Sequence, residues 1–252
     1  MKLRIPTDAV TPETELANIM GNDGLPIITH WYEPATDFYN EDKSRTRNRA
    51  GADTWLRVES GVTSNPSKHI FTTINGANAV ENHLSFFDTD INLDEYTVFA
   101  IAKVADTFAT GTTAIIGTTD TSSVVNAPYL LYNAVTSSWE VYGQHTNQDK
   151  QITHPMTTIN ARKTHLYTLT RSQSNGVTLR VDGIKVAEAV TAKAKAKNTA
   201  KKSRVMGFNF SSGAFSGVIG NLIICKRDLS QEKFELDKVE SYLMSKYEVT
   251  TP

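Results

Sequence analysis

KTHLYTLTRSQSNGVTLRVDGIKVAEAV, residues 163–190, decides how the rest of the chain is read. Leu166, Thr168 and Thr170 alternate with Tyr167, Leu169 and Arg171, and Val177, Leu179 and Val181 alternate with Thr178, Arg180 and Asp182. A period of two marks β-strand, because successive side chains leave a pleated backbone on opposite faces. Asn175-Gly176 and Asp182-Gly183 interrupt the run where hairpin turns need backbone with positive φ. The stretch predicts three strands joined by tight turns, the second with one face toward a core and one toward water.

The same signal continues on both sides. EYTVFAIAKVAD (95–106) places Tyr96, Val98, Ala100, Ala102 and Val104 on one face and Phe99, Ile101 and Lys103 on the other. Both faces are apolar in the middle, as in a central strand covered on two sides. KHIFTTING (68–76), HLSFFDT (83–89), TTAIIGTT (112–119), PYLLYNAV (128–135), SWEVYGQ (138–144), VMGFNFSS (205–212) and GVIGNLIICKRD (217–228) are short and rich in β-branched or aromatic residues. Gly217 and Gly220 mark a strand entry where a bulge or close backbone approach is expected. In LSQEKFELDKVESYLMSKY (229–247) the period switches. Leu229, Phe234, Leu236, Val239, Leu243 and Tyr247 recur at helical spacing, with Ser230 as expected N-cap and Glu232 and Glu235 in the first turns. Many short strands followed by one amphipathic helix predict an all-β, two-sheet antiparallel sandwich with a C-terminal helix over 230–247.

Residues 1–65 read differently. They are polar and turn-rich, with Pro6, Pro12, Pro26 and Pro34. TPETELANIMG (11–21) suits a short helix that Gly21 would end. NEDKSRTRNRAG (40–51) has no apolar side chain larger than alanine and reads as a loop. The expected division is an irregular N-terminal arm over 1–65 and a sandwich over 66–252.

Composition excludes several function classes. The 252 residues carry a net charge of -1, so no global field draws the chain to nucleic acid or anionic lipid. The single cysteine, Cys225, permits no intrachain disulfide and no multi-cysteine zinc site, and its apolar neighbours predict a buried, inert thiol. The first residues lack the hydrophobic run of a signal peptide, and no apolar stretch reaches the roughly 18 residues of a membrane span. A soluble protein without a cleaved signal is the expectation.

YTVFAIAKV (96–104), THLYTLTRSQSNGVTLRVDGIKV (164–186) with its V-D-G hairpin, FSGVIGNLII (215–224) and the K-R-D-L-S-x-E-K-F tail from Lys226 follow one another in an order that resembles concanavalin A-like, or laminin G-like, jelly rolls. The stand-alone bacterial and bacteriophage forms are the most similar. The resemblance spans about residues 66–247 and implies a jelly-roll sandwich whose commonest metal is calcium, held by oxygen ligands at one rim. Asp120, Asn126, Asn147 and Asp149 fall in expected rim loops, without a dense acidic cluster, and ordinary turn chemistry accounts for them.

Little points to catalysis. Glu235, Asp237 and Glu240 spell the E-x-D-x-x-E of jelly-roll glucanases, which need two carboxylates about 5–5.5 Å apart. On a helix, Glu235 and Glu240 stand about 140° apart, so a solvated helix face is expected instead. The histidines, His30, His69, His83, His145, His154 and His165, lack the H-x-x-x-H spacing of a helix-borne zinc site, and no phosphate loop or nucleophile elbow occurs. No catalytic, ligand-binding or metal residue is assigned on these grounds. Two basic runs, TAKAKAKNTAKKSR (191–204) with Lys193, Lys195 and Lys197, and RTRNR (45–49), read as exposed loops, or a lysine-guarded edge, that could also meet an acidic partner. No aromatics interleave with them, which disfavours single-stranded nucleic acid. Trp31, Tyr32, Trp55, Tyr129, Tyr132, Trp139 and Tyr142 could stack on a sugar ring, although core packing is their default.

The primary expectation is a non-enzymatic structural or docking protein of a phage virion, decorating a capsid or forming part of a tail or fibre. Its partner would be a virion protein or another copy of the chain, and no cofactor is implied. The alternative is a carbohydrate-binding, lectin-like module for host or glycan adhesion.

Overall fold

The structure, a computed structural model, describes residues 16, 19, 21, 24, 26–32, 45–50, 55–58, 62–65, 70–73, 84–86, 95–118, 130–142, 150–190, 203–205 and 216–250. Its strands in chain order are β1 (Ile28–Tyr32), β2 (Arg45–Arg47), β3 (Trp55–Val58), β4 (Val62–Asn65), β5 (Ile70–Thr73), β6 (Leu84–Phe86), β7 (Tyr96–Val104) and β8 (Thr112–Thr118). There follow β9 (Leu130–Asn133), β10 (Ser138–Tyr142), β11 (Lys150–Pro155), β12 (His165–Ser172), β13 (Gly176–Val181), β14 (Ile184–Ala189), β15 (Ser203–Val205) and β16 (Gly217–Cys225). One helical turn, α1 (Thr158–Ala161), precedes β12, and the helix α2 (Lys233–Lys246) follows β16.

The strands form two antiparallel sheets. The first runs β14-β13-β12-β7-β16-β5-β4, with β1 added beside β16, and the second runs β11-β10-β9-β8-β15-β6-β3-β2. The fold is a β-sandwich, as the strand count and turn spacing predict. The hairpins read from 163–190 form as expected. Leu169 opposes Leu179 across β12–β13, and Asp182 (φ 50°) and Gly183 (φ 77°) make the turn into β14.

The alternation in β7 explains the layering. Tyr96, Val98, Ala100, Ala102 and Val104 enter the core between the sheets, with Tyr132, Trp139 and Val141 of the second sheet. Phe99 and Ile101 point the other way, into a second core with Trp31, Ile223, Leu236, Val239 and Leu243. The first sheet is thus covered on one face by the second sheet and on the other by α2, which is why β7 is apolar on both faces.

The helix begins later than expected. Asp228, not Ser230, caps the chain here: its side chain accepts from Ser230 N at the head of a 3₁₀ turn over Leu229–Gln231, and α2 starts only at Lys233. Among the described residues of 1–65, the stretch expected to be an irregular arm, four strands occur, and they join both sheets. Part of the loop expected over 40–51 is strand β2, paired with β3. The short helix expected over 11–21 falls almost wholly outside the described residues, although Leu16 is buried in the helix-side core.

Asn48 accounts for how a polar segment is held there. Its Oδ1 accepts from Trp31 N at 2.8 Å and from Ala50 N at 3.0 Å, while its Nδ2 donates to the Thr29 carbonyl at 2.8 Å. Arg49 adds a backbone bond to the Trp31 carbonyl, and its guanidinium lies over the Trp31 ring. Within RTRNR, Asn48 and Arg49 therefore do structural work along β1, while Arg45–Arg47 pair with β3. The run at 191–202 lies outside the described residues.

Candidate functional site

The aromatic residues proposed for sugar stacking build the frame of the site from beneath. Trp31, Tyr32, Tyr132 and Trp139 are all buried, so these four pack the cores and are not a sugar platform. The side chains of Trp55, Tyr129 and Tyr142 lie outside the described residues. Trp139 packs on Tyr167 with ring centroids 4.3 Å apart and on Tyr132 at 5.3 Å. Their polar tips converge on one segment. Trp139 Nε1 points at the Met156 sulfur, and the Tyr132 hydroxyl donates to the Met156 carbonyl at 3.0 Å. This fixes the chain between β11 and α1 on the end of the sandwich.

From that anchor the backbone leads through α1 to His165, the first residue of β12. His165 Nδ1 lies 2.6 Å from Asp182 Oδ2, and Nε2 lies 2.9 Å from the Asn160 carbonyl oxygen. A carbonyl and a carboxylate can only accept, so both ring nitrogens must donate and the imidazolium is favoured. Burial opposes that charge, but the hydrogen bond and charge of Asp182, with the Asn160 carbonyl, outweigh it and raise the histidine above its usual range. Asp182 Oδ1 also accepts from Leu166 N at 2.9 Å. The His165–Asp182 pair therefore ties the start of β12 to the β13–β14 turn and to α1, and its proton positions are fully used.

Around this pair opens a cleft of about 760 Å³, a size typical of small-molecule sites. It lies where β11 and β14, the edge strands of the two sheets, face each other. His154 and Met156 line one side, Ile184 and Val186 the other. Lys163 and Thr164 come from the approach to β12, and Tyr247 to Thr250 from the chain after α2. That last wall is set by a helix stop in which Val249 N donates to the Met244 carbonyl and Glu248 N to that of Ser245. Glu248 sits at φ 54°, the left-handed conformation that glycine ordinarily supplies.

His154 differs from His165. It is half-buried, has no hydrogen-bond partner among the described residues, and is shifted below its usual range by burial. It presents a neutral ring to the cleft, one nitrogen donating and one accepting. No local motif marks His154 in the sequence, because its place in the cleft depends on elements distant in the chain.

Of the glucanase-like carboxylates, Asp237 pairs with Lys233 on the helix surface. Glu240 corrects the expectation of a solvated face: it is buried and clamped by Arg180 of β13. Cys225 is buried as expected, and burial pushes its thiol well up, keeping it protonated. Among the described residues no group of three or more His, Cys, Asp or Glu side chains could hold a metal ion. Asp120, Asn126, Asn147 and Asp149 lie outside the described residues. No described helix is long and apolar enough to cross a membrane.

No family model matches the sequence, and no curated protein matches it. Solved structures do. A Trypanosoma rangeli sialidase in complex with the inhibitor DANA superposes with a TM-score of 0.63 at 12% identity, covering 91% of this chain and 36% of the sialidase. Botulinum neurotoxin type C, whose cell entry depends on interaction with two ganglioside molecules, superposes at 0.60 and 9% identity over 84% of this chain and 51% of the other. The binding domain of botulinum neurotoxin DC in complex with SialylT gives 0.59 and 10% over 80% and 49%.

The likeness is one of fold. This chain spans about a third to a half of the length of these neighbours. The sandwich is of the kind that sialidase and toxin binding-domain structures contain.

Proposed function

We propose that the chain is a non-catalytic carbohydrate-binding module, a sandwich of the concanavalin A-like type. The observation that carries this reading is the cleft at the seam between the sheets. There an unpartnered neutral His154, the ammonium of Lys163 and the hydroxyls of Thr164 and Thr250 stand beside an apolar wall of Met156, Ile184 and Val186. Sugars present that same mixture of hydroxyl edges and C–H faces. The fold likeness supports the reading, since structures of the neighbours include a sialidase in complex with sialic acid and a toxin binding domain in complex with SialylT, and cell entry of the type C toxin depends on ganglioside molecules. The non-catalytic reading is supported by the His165–Asp182 pair, the acid–base pair of the cleft, whose polar atoms are committed to structural bonds. The virion decoration or tail role suggested by sequence resemblance has no such observation behind it, and the glycan reading takes its place.

A glycan screen of the purified chain, in calcium and then in chelator, tests this. Selective binding to any glycan class supports it, and loss with chelator would add calcium to the site. Failure to bind in both buffers would sink the reading and return the search to protein partners.

A further inference from the structure

We infer that the cleft between β11 and β14 takes the acidic end of a glycan, with Lys163 meeting the sugar carboxylate and His154 meeting its hydroxyls. This rests on the glycan reading above and names the site and the sugar class.

The charges in the cleft carry the argument. Four charged groups line it: Lys163, His165, Asp182 and Glu248. His165 and Asp182 neutralise each other at 2.6 Å, and their polar atoms are filled by each other, Leu166 N and the Asn160 carbonyl. What remains for a ligand is one cation and one anion. Lys163 has no partner among the described residues and stands exposed at the mouth. A flexible ammonium is a point charge that meets a carboxylate without demanding a fixed fork geometry.

Glu248 is the counterpart. Its carboxylate can only accept, so the ligand must bring donors as well as an anion. Hydroxyl groups supply them, and His154 can complete the contact by accepting from one hydroxyl and donating to another. A carboxylated polyol satisfies Lys163, Glu248 and His154 together. A neutral sugar offers Lys163 hydroxyl oxygens but no counter-charge, and a simple carboxylate brings no donors for Glu248. Ile184 and Val186 then face the C–H surface of the ring.

Titration calorimetry of the full chain with 3′-sialyllactose, with its carboxyl methyl ester and with lactose tests this directly. The acid should bind, and both the ester and lactose should bind roughly tenfold or more weakly, the loss of one charge-assisted contact. Lys163→Gln should weaken the acid by a similar factor, Lys163→Arg should restore it, and His154→Leu should weaken acid and ester alike. Lys163 is exposed, so its variants should remain folded, which circular dichroism checks. Acid binding unchanged by Lys163→Gln would overturn the cleft assignment and leave the glycan reading standing. Equal affinity for acid and ester, or binding of neutral glycans alone, would overturn the acidic class. No binding of any glycan would overturn both.

Discussion

Arg180 of β13 and Glu240 of α2 meet in a two-pronged pair, Nε to Oε1 and Nη2 to Oε2, both at 2.8 Å. The same guanidinium donates to the Gly183 carbonyl, so one side chain joins strand, turn and helix. The carboxylate is buried, and the hydrogen bond and charge of Glu240 hold the arginine above its usual range. Removing one partner strands a charge against the sheet. Arg180→Ala should therefore cost about 3 kcal/mol in urea unfolding, whereas the apolar pair Arg180→Met with Glu240→Leu should recover most of it. A loss below about 1 kcal/mol for the single variant, the range of a surface pair, would refute the clamp.

The His165–Asp182 pair makes a pH prediction. The histidine is raised above its unfolded value, so its stabilisation is complete below about pH 6.5 and fades as pH rises through the folded value. Wild type should exceed His165→Gln in stability most at pH 5.5, with the margin shrinking by pH 9. His154 is shifted the other way by burial and favours folding above its unfolded value. The comparison is therefore best made in a His154→Gln background. A margin that does not change with pH would show that the ring is not held charged.

At Glu248 a side chain occupies left-handed backbone that costs an ordinary residue about 1–2 kcal/mol. Glu248→Gly should raise the unfolding midpoint by relieving that strain. If the carboxylate contacts a bound sugar, the same change should weaken glycan binding, a stability gain set against function. A variant that is less stable than wild type would show that Glu248 makes contacts that offset its strain.

Gly220 faces Tyr247. A Cβ there would stand 2.6 Å from the tyrosine ring, which burial has already made difficult to ionise. Gly220→Ala should cost about 1–3 kcal/mol by overpacking, and Gly220→Ala with Tyr247→Leu should cost less than the sum of the two singles. Additive losses in thermal melts would separate the two positions.

Where side-chain period and burial coincide, the sequence was easy to read. β7, the β12–β14 hairpins and α2 each follow from alternation or helical spacing with turn residues at their ends. β1 was hidden for a physical reason. Its backbone polar groups are satisfied partly by Asn48, a residue whose type favours loops, and by the backbone N–H of Arg49. Trp31 and Tyr32 could be read as ligand platforms because an aromatic residue looks the same in a core and at a rim. The fate of Glu240 depended on Arg180, sixty positions away, which no local pattern connects to it. The cleft is assembled from the end of β11, the approach to β12, the β13–β14 turn and the tail beyond α2, so no single stretch carries its signature.

The position of β16 in the first sheet bears on how the chain is made. It lies between β7 on one side and β5 and β1 on the other, yet it comes after all of them in the chain and is the last of the described strands. Asn221 at its midpoint joins β1 to the residue that ends α2, accepting from Trp31 Nε1 at 2.6 Å and donating to the Tyr247 hydroxyl at 2.9 Å. During synthesis β1, β5 and β7 must wait with open hydrogen-bonding edges for a partner emerging more than a hundred residues after β7. Such long-range closure is slow and leaves apolar edges exposed to other nascent chains. Among the described strands, the one that completes the first sheet is thus also the one made last, and the edges it covers stay open to mispairing until it arrives.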